Sequence, residues 1–289
     1  MSPDRLFRAP IDLHTHSRVS DGTESPGILV RAAADAGLGT VALTDHDSTA
    51  GWSEASGAAV EFGVTLIPGM ELSTRVDWSS VHMLAYLFDP NNAKLVAETA
   101  RIREARLHRA EEMVARIGRD YDVGWDDVLA QTTPGATVGR PHIADALVAR
   151  GLAATRSEAF AGILHWRAGY YQPHYAPDPL LAVELVVAAG GVPVIAHPAT
   201  VSRADVALDE RMGDLVDAGL FGLEIDHREN TAEGRERLLR LADRYGLALT
   251  GSSDYHGEGK PNRLGENTTR AEVLDRLIAR ATGWSPVYA

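Results

Sequence analysis

Ile11-Asp12-Leu13-His14-Thr15-His16 opens the succession of elements that decides the fold. Ile11 and Leu13 alternate with polar neighbours, the period-two pattern of a strand. His14 and His16 therefore leave one face about 6.6 Å apart along the chain, a spacing that suits two imidazoles on one metal ion. Taken alone, the pair reads equally well as two surface histidines near a terminus, so the rest of the chain has to decide. A turn-rich loop, Ser20-Asp21-Gly22-Thr23, leads to a helical pattern from about Pro26 to Ala36 closed by Gly37. Thr40-Val41-Ala42-Leu43-Thr44 is then a buried strand ending in Asp45-His46-Asp47. Strand, loop with an acidic residue, helix, strand is the order that predicts a parallel α/β sheet.

Further along, a second helix is expected from about Gly51 to Phe62, and Val64 to Gly69 reads as a third strand whose exit carries Met70-Glu71-Leu72-Ser73. Val81-His82-Met83-Leu84-Ala85-Tyr86 follows, with His82 between apolar residues. From about Asn92 to Tyr171 the pattern is helix after helix. Leu95, Ile102, Ala110, Met113, Val114 and Ile117 fall on one face of a long helix, and Arg101, Arg103, Arg106 and Arg109 mostly on a face expected to be solvated. Within this stretch, Gly139-Arg140-Pro141-His142 starts a helix that ends near Gly151. That start reads either as a plain helix beginning or as an anion site made of free N–H groups beside Arg140 and His142. Alternation resumes near Pro179. Strands are expected at Gly190–Ala196, Gly222–Ile225 and Ala248–Thr250, ending in His197-Pro198, Asp226-His227 and Ser253-Asp254-Tyr255-His256.

The totals exclude several classes. No cysteine is present, so disulfides and thiolate metal sites are ruled out together, and any metal must rest on imidazole and carboxylate. A formal charge of -12 argues against a sequence-independent grip on duplex nucleic acid. No apolar run is long enough for a membrane span and no signal pattern opens the chain, so a cytoplasmic protein is expected.

Of 11 histidines, six sit at or just past expected strand ends: His14, His16, His46, His82, His197 and His256. Asp21, Glu71 and Asp254 join them. In parallel α/β folds function collects at the carboxyl ends of strands, and these nine residues offer the imidazole and carboxylate mixture of a multinuclear manganese, iron or zinc site. With no cysteine and no GxSxG element, the sequence offers no obvious protein nucleophile.

Asp12-Leu13-His14-Thr15-His16, Thr44-Asp45-His46, Gly69-Met70-Glu71, Ala196-His197-Pro198 and Ser253-Asp254-Tyr255-His256 together resemble the ordered motifs of the PHP (polymerase and histidinol phosphatase) superfamily of metal-dependent phosphoesterases. Asp21-Gly22-Thr23, Val81 to Tyr86 and Gly139-Arg140-Pro141-His142 resemble most the branch acting on nucleotides, which includes 3',5'-nucleoside bisphosphate phosphatases and 5'-3' exoribonucleases. The resemblance implies a distorted (β/α)7 TIM-like barrel with a helical insertion. Residues 1–91 would form its first part, 92–172 the insertion and 173–289 its second part.

The resemblance also implies a trinuclear centre. His14, His16, Glu71 and Asp254 would hold a first metal; Glu71 would bridge to a second held by His82 and His197; Asp21, His46 and His256 would hold a third. Two to three divalent ions are expected, manganese first, with iron, zinc or magnesium as alternatives. Asp21 stands where other members have histidine, which leaves the third site the least secure. Asp45 and Asp47 are expected to orient ligands by hydrogen bonds. Arg140, His142 and His227 are the candidate substrate contacts, and Trp166, Arg167, Tyr170 and Tyr171 join Arg140 as candidate walls of a base pocket. His108, His165 and His174 are read as structural. The expected reaction is hydrolysis, by metal-activated water, of a phosphomonoester in a nucleotide or short single-stranded oligonucleotide. A phosphatase for a small metabolite such as histidinol phosphate, or a non-catalytic metal-bearing module, are the competing readings.

Overall fold

The computed structural model describes residues 9–77, 79–200 and 205–289. The chain alternates strands and helices from its first element: β1 (Ile11–Asp12), α1 (Pro26–Asp35), β2 (Thr40–Leu43), α2 (Trp52–Phe62), β3 (Thr65–Val76) and β4 (Ser79–Tyr86). Helices then follow one another as α3 (Ala93–Ile117), α4 (Trp125–Leu129), α5 (Arg140–Ala149), α6 (Arg156–Ala161) and α7 (Pro179–Ala188). Alternation returns with β5 (Val192–Ala196), α8 (Asp205–Glu210), α9 (Met212–Ala218), β6 (Gly222–Asp226), α10 (Ala232–Tyr245), β7 (Ala248–Gly251) and α11 (Ala271–Arg280). Local chemistry sets the helix starts. Ser25, Asn92, Asp178 and Thr231 each cap α1, α3, α7 and α10 by accepting a backbone N–H from the first turn, and prolines follow the caps of α1 and α7.

The seven strands form one sheet in sequence order, a nearly closed barrel. β1, β2 and β3 run parallel, as do β5, β6 and β7. Strands β2 and β5 are buried at every residue, as expected where helices cover one face and the barrel interior the other. β1 and β7 share no ladder, and the closure beside them combines backbone bonds (His16 N to Tyr255 O, 2.8 Å; Thr269 N to Ile11 O, 2.9 Å) with one side chain. Asp12 accepts from Ser253 N (3.0 Å) and Gly265 N (2.9 Å), next to one isolated bridge, Thr15 to Tyr255.

One expectation is corrected here. The third strand does not stop at Gly69 but runs on to Val76, turns through Asp77 at φ 49°, and pairs antiparallel with β4, which is antiparallel to β5 as well. Glu71 and His82 consequently lie within strands rather than at strand ends. The reversal brings His82 beside Ser73 on one flank and Ala196 on the other. Gly69 marks where the strand passes tightly: a Cβ there would lie 2.9 Å from Thr44 Cγ2.

The helices between β4 and β5 carry a core of their own. Met113, Val114, Ile117, Val128, Ile143, Leu147 and Leu164 pack together, while Leu95 and Ile102, earlier on α3, belong to the main cluster around the sheet. The long α3 therefore spans both cores. Its arginine face is not uniformly solvated, contrary to the sequence reading. Arg101 is exposed, but Arg106 and Arg109 are only 7% and 8% exposed because that stretch of α3 lies against β3 and the loop after β2. No helix among the described residues is long and apolar enough to cross a membrane.

Candidate metal centre

Glu71 lies at the middle of a ring of histidines. Its Oε2 is 3.4 Å from His14 Nε2, 3.1 Å from His16 Nε2 and 3.1 Å from His46 Nδ1, and its Oε1 is 2.7 Å from His82 Nδ1 and 3.2 Å from His197 Nε2. Asp254 Oδ1 faces His14 Nε2 (3.4 Å) and His16 Nε2 (3.3 Å). On the far side of His16, Asp21 Oδ1 is 3.3 Å from His256 Nε2 and Asp21 Oδ2 is 3.7 Å from His46 Nε2. All nine residues expected from the sequence thus come to one place. Among the described residues, the groups close enough to share an ion are His14, His16, Glu71 and Asp254; His46, Glu71 and His82; His16, Asp21 and His256; and His14, His197 and Glu224. His197 also approaches Glu71, whereas His46 is shared between the second and third groups.

The donor set fits divalent cations on its own chemistry. His14 Nε2 and His16 Nε2 face each other at 3.0 Å with carboxylate oxygens on both sides, an arrangement with too few protons to be a hydrogen-bond network. Asp21 Oδ1, His46 Nδ1 and His256 Nε2 are buried without a hydrogen bond. Orphaned ligand atoms of this kind, all pointing inward, are what a cation would satisfy. The electrostatics agree. Burial works against ionisation of Glu71, yet His82, His46 and His14 hold its carboxyl well below the usual range, and Asp21 is held down in the same way by His256 and His46. Burial lowers His16, but hydrogen bonds to Asp254 and Glu71 raise it to about 9, so these carboxylates favour a positive charge, from a proton or a cation, at the point where the ligand atoms meet.

Other residues aim the ligands. Asp45 takes Ser17 N (2.8 Å), Ser17 Oγ (2.7 Å) and Ser20 Oγ (2.7 Å), and Ser20 Oγ stands 3.3 Å from His16 Nδ1, so Asp45 steadies His16 through the serine. Burial, opposed by His16 and these hydrogen bonds, leaves Asp45 at about 6. Asp47, at φ 52°, accepts from Ser73 N and Oγ (2.7 and 2.8 Å) and lies 2.9 Å from Arg106 Nε, so it joins the loop after β2 to β3 and α3 rather than touching a ligand. Sequence reasoning missed two residues. Glu224, fully buried on β6, lies 3.0 Å from His14 Nδ1 and accepts from His197 N at 2.9 Å. Lys260 donates to Asp254 Oδ2 at 2.7 Å, the oxygen that does not face His14 and His16. A lone acid inside the apolar Gly222–Asp226 strand was a signal for Glu224; a lysine in a polar loop gave none for Lys260.

The candidate substrate contacts divide. His227 is inside the site, its Nε2 3.6 Å from Asp254 Oδ2 and its ring 4.8 Å from that of His197. Its Nδ1 accepts from Glu229 N, which places a proton on Nε2 in the neutral ring. His142 does not serve as a free ligand. Its Nδ1 accepts Gly139 N at 3.1 Å and it bonds the Ser20 backbone as well, so the ring ties α5 to the loop of Asp21. The anion site expected from free N–H groups at this helix start is thereby reduced, since the cap is partly satisfied within the protein. Arg140 lies 5.2 Å from the ring of Phe160 and 5.3 Å from that of Tyr171. Of the other expected base-pocket walls, only Tyr171 meets Arg140. Trp166 is 63% exposed beneath Arg167, and Tyr170 turns to Asp120.

Comparison with known proteins agrees with this geometry. Residues 12–121 match the PHP domain. A 3',5'-nucleoside bisphosphate phosphatase from Chromobacterium violaceum is 32% identical over 94% of this chain and 96% of its own length, and a 5'-3' exoribonuclease from Haemophilus influenzae is 32% identical over 92% and 96%. Among solved structures, a protein of Bifidobacterium adolescentis assigned as a metal-dependent phosphoesterase superposes with a TM-score of 0.90 at 45% identity, covering 94% of this chain and 96% of that one. With a clustered set of divalent-metal donors in a barrel of this kind, and relatives matching along nearly its whole length, the chain belongs to the PHP family and is a metal-dependent phosphoesterase.

Proposed function

We propose that this enzyme hydrolyses a phosphomonoester of a nucleotide, either a 3',5'-bisphosphate or a mononucleotide, or of a short oligonucleotide. The observation that carries this reading is the position of Glu71, whose two oxygens serve different histidine groups while the arginine-bearing face of α3 closes one side of the site. His14, His16, Glu71 and Asp254 would hold one ion, Glu71 with His82 and His197 a second, and Asp21, His46 and His256 a third, with two to three manganese ions in the working enzyme. When bound, such ions supply an activated water and positive charge for the phosphoryl oxygens. The protein does the rest. Glu224 keeps the proton of His14 on Nδ1 so that Nε2 points inward, Asp45 does the same for His16 through Ser20, and Lys260 holds Asp254 to one inward-facing oxygen. The Nε2–H of His227 is a donor for a phosphoryl or leaving-group oxygen, and Arg140 takes a phosphate away from the ligands. The segment 92–172 is the insertion that bears this second contact.

A phosphate-release screen tests the reading. Mononucleotides, 3',5'-bisphosphates, short single-stranded oligonucleotides and histidinol phosphate are compared with manganese and with a chelator. Chelator-sensitive release from the nucleotide group is expected. Release confined to histidinol phosphate would move the enzyme to small-metabolite chemistry.

A further inference from the structure

Asp21 reaches the donor cluster from the loop between β1 and α1, outside any strand or helix, and the helical insertion holds that loop at four successive residues. Thr133 Oγ1 donates to Arg18 O (3.0 Å), Thr137 N donates to Val19 O (2.9 Å), His142 bonds the Ser20 backbone, and Arg156 Nη1 donates to Asp21 O (2.9 Å). The last of these acts on the ligand residue itself. Arg156, at the start of α6, is largely buried, and its other nitrogens grip Asp145 on α5, Nη2 to Oδ2 at 2.5 Å and Nε to Oδ1. Gly259, three residues after His256, lies against the same guanidinium, so that a Cβ there would overlap Arg156 Nη1. Arg156 thus stands between the loops that carry Asp21 and His256, whose Oδ1 and Nε2 are 3.3 Å apart. Two cavities of about 540 and 630 Å³ flank it and share Thr23, Asp145, Val148 and Arg156 in their walls. On this side the Asp21 loop is therefore backed by hydrogen bonds rather than by packed side chains.

A metal ligand carried on a loop needs its main chain fixed, because nothing else sets where its carboxylate arrives. A guanidinium does this better than an ammonium, since its planar fork commits several hydrogen bonds to one plane. Asp145, bound at two points, also balances the charge. A lone arginine here would repel a cation, whereas the Arg156–Asp145 pair is close to neutral, so what it gives the site is position. Resting on the assignment of Asp21, His46 and His256 to a third ion, we infer that Arg156, braced by Asp145, is a positioning residue for that ion, and that the seating of the helical insertion on the barrel sets the ion's affinity. Coupling of this kind is reciprocal, so the ion in turn holds α5 and α6 against the barrel.

The test is a stepwise manganese titration of the metal-stripped full chain against a chelator of known affinity, beside thermal melting of the metal-free protein and phosphate release from nucleotides. The binding step missing in Asp21→Ala identifies the third ion. In R156Q that step is expected to weaken roughly 10- to 100-fold, as when a partner that aims a ligand is removed, with the other steps unchanged. Electrostatics alone predicts the opposite sign, because R156Q deletes a positive charge and leaves Asp145 unbalanced. Gly259→Ala keeps every charge but pushes the guanidinium aside, and should weaken the same step whether or not R156Q folds. The two changes together should lose much less than the product of their separate losses, because both break one contact. A merely structural arginine would lower the melting of the metal-free protein and weaken all steps alike. That pattern, tighter binding in R156Q, or an unchanged third step in Gly259→Ala would overturn the clamp. Uptake of only two ions by a wild-type chain that still releases phosphate would overturn the third site and the clamp together, leaving the phosphoesterase reading intact. The expected shift without release from any nucleotide would uphold the clamp and overturn the nucleotide reading.

Discussion

Replacing Glu224 by glutamine probes how the metal ligands are aimed. Glu224 faces two donors from different strands, His14 Nδ1 at 3.0 Å and His197 N at 2.9 Å, in a fully buried position. Burial opposes its ionisation, yet His14 holds it below the ordinary glutamate range, so the carboxylate form is the one present. An amide of the same shape can accept only one of the two hydrogens and turns an NH2 toward the other. One charge-assisted hydrogen bond, about 1.5–3 kcal/mol, is lost, and the ring of His14 loses the partner that keeps Nε2 free. Removing such an outer partner costs roughly 10- to 100-fold in metal affinity. Competition with a chelator of known manganese affinity, read at fixed pH beside thermal melting of the metal-free protein, should show that loss in E224Q with the fold retained. E224A should also melt lower, since His197 N is left unsatisfied. Affinity in E224Q within about twofold of wild type would refute the argument. Loss of one whole ion with the others bound as tightly as before would show instead that Glu224 is itself a ligand, beside His14 and His197.

Three further outcomes follow from named contacts. Glu71→Ala should bring activity to background because five histidines lose their shared carboxylate, whereas Asp21→Ala, whose carboxylate belongs to the outlying group alone, should be milder; equal losses would contradict the ranking of the sites. Gly22→Ala would set a Cβ 2.2 Å from His16 O, so a destabilisation of about 1–3 kcal/mol is expected, seen as a Tm drop of roughly 2–4 °C per kcal/mol, and an unchanged Tm would contradict it. His174 sits at about 2 in the fold against 6.5 unfolded, so below pH 6.5 the unfolded chain binds a proton the native state does not, and stability falls as pH falls toward 2. The slope is at most about 1.4 kcal/mol per pH unit for one group. His174→Asn should flatten denaturant-derived stability between pH 6.5 and 4; identical slopes would show that the ring titrates normally.

Strand-end residues were legible because parallel strands feeding helices place their exits together, and that logic holds for His14, His16, His46, His197, Asp254 and His256. It gave the wrong geometry for Glu71 and His82. Both halves of β3 are apolar enough to read as a strand with an exit, and nothing local says that the chain continues through Pro68-Gly69 and doubles back. The buried arginines were illegible for a related reason. A helix with arginines off its apolar stripe looks solvated until another element covers that face, and here the covering element is β3. His142 was misread because a histidine three residues after a glycine can cap that glycine's own N–H, a local bond that composition does not reveal.

Asp12 also has a consequence in time. It accepts from Ser253 N, 241 positions away, and so joins the first strand to the last where no ladder does. On a ribosome moving at about 5–20 residues per second, β1 waits roughly 10–50 s for that partner. During this wait His14 and His16 have Glu71 and His82 within the synthesised chain but lack Asp254 and His256. The ligand set is therefore completed only once β7 and its exit have been made, so closing the barrel and assembling the metal donors are one event, and ion binding is coupled to that closure.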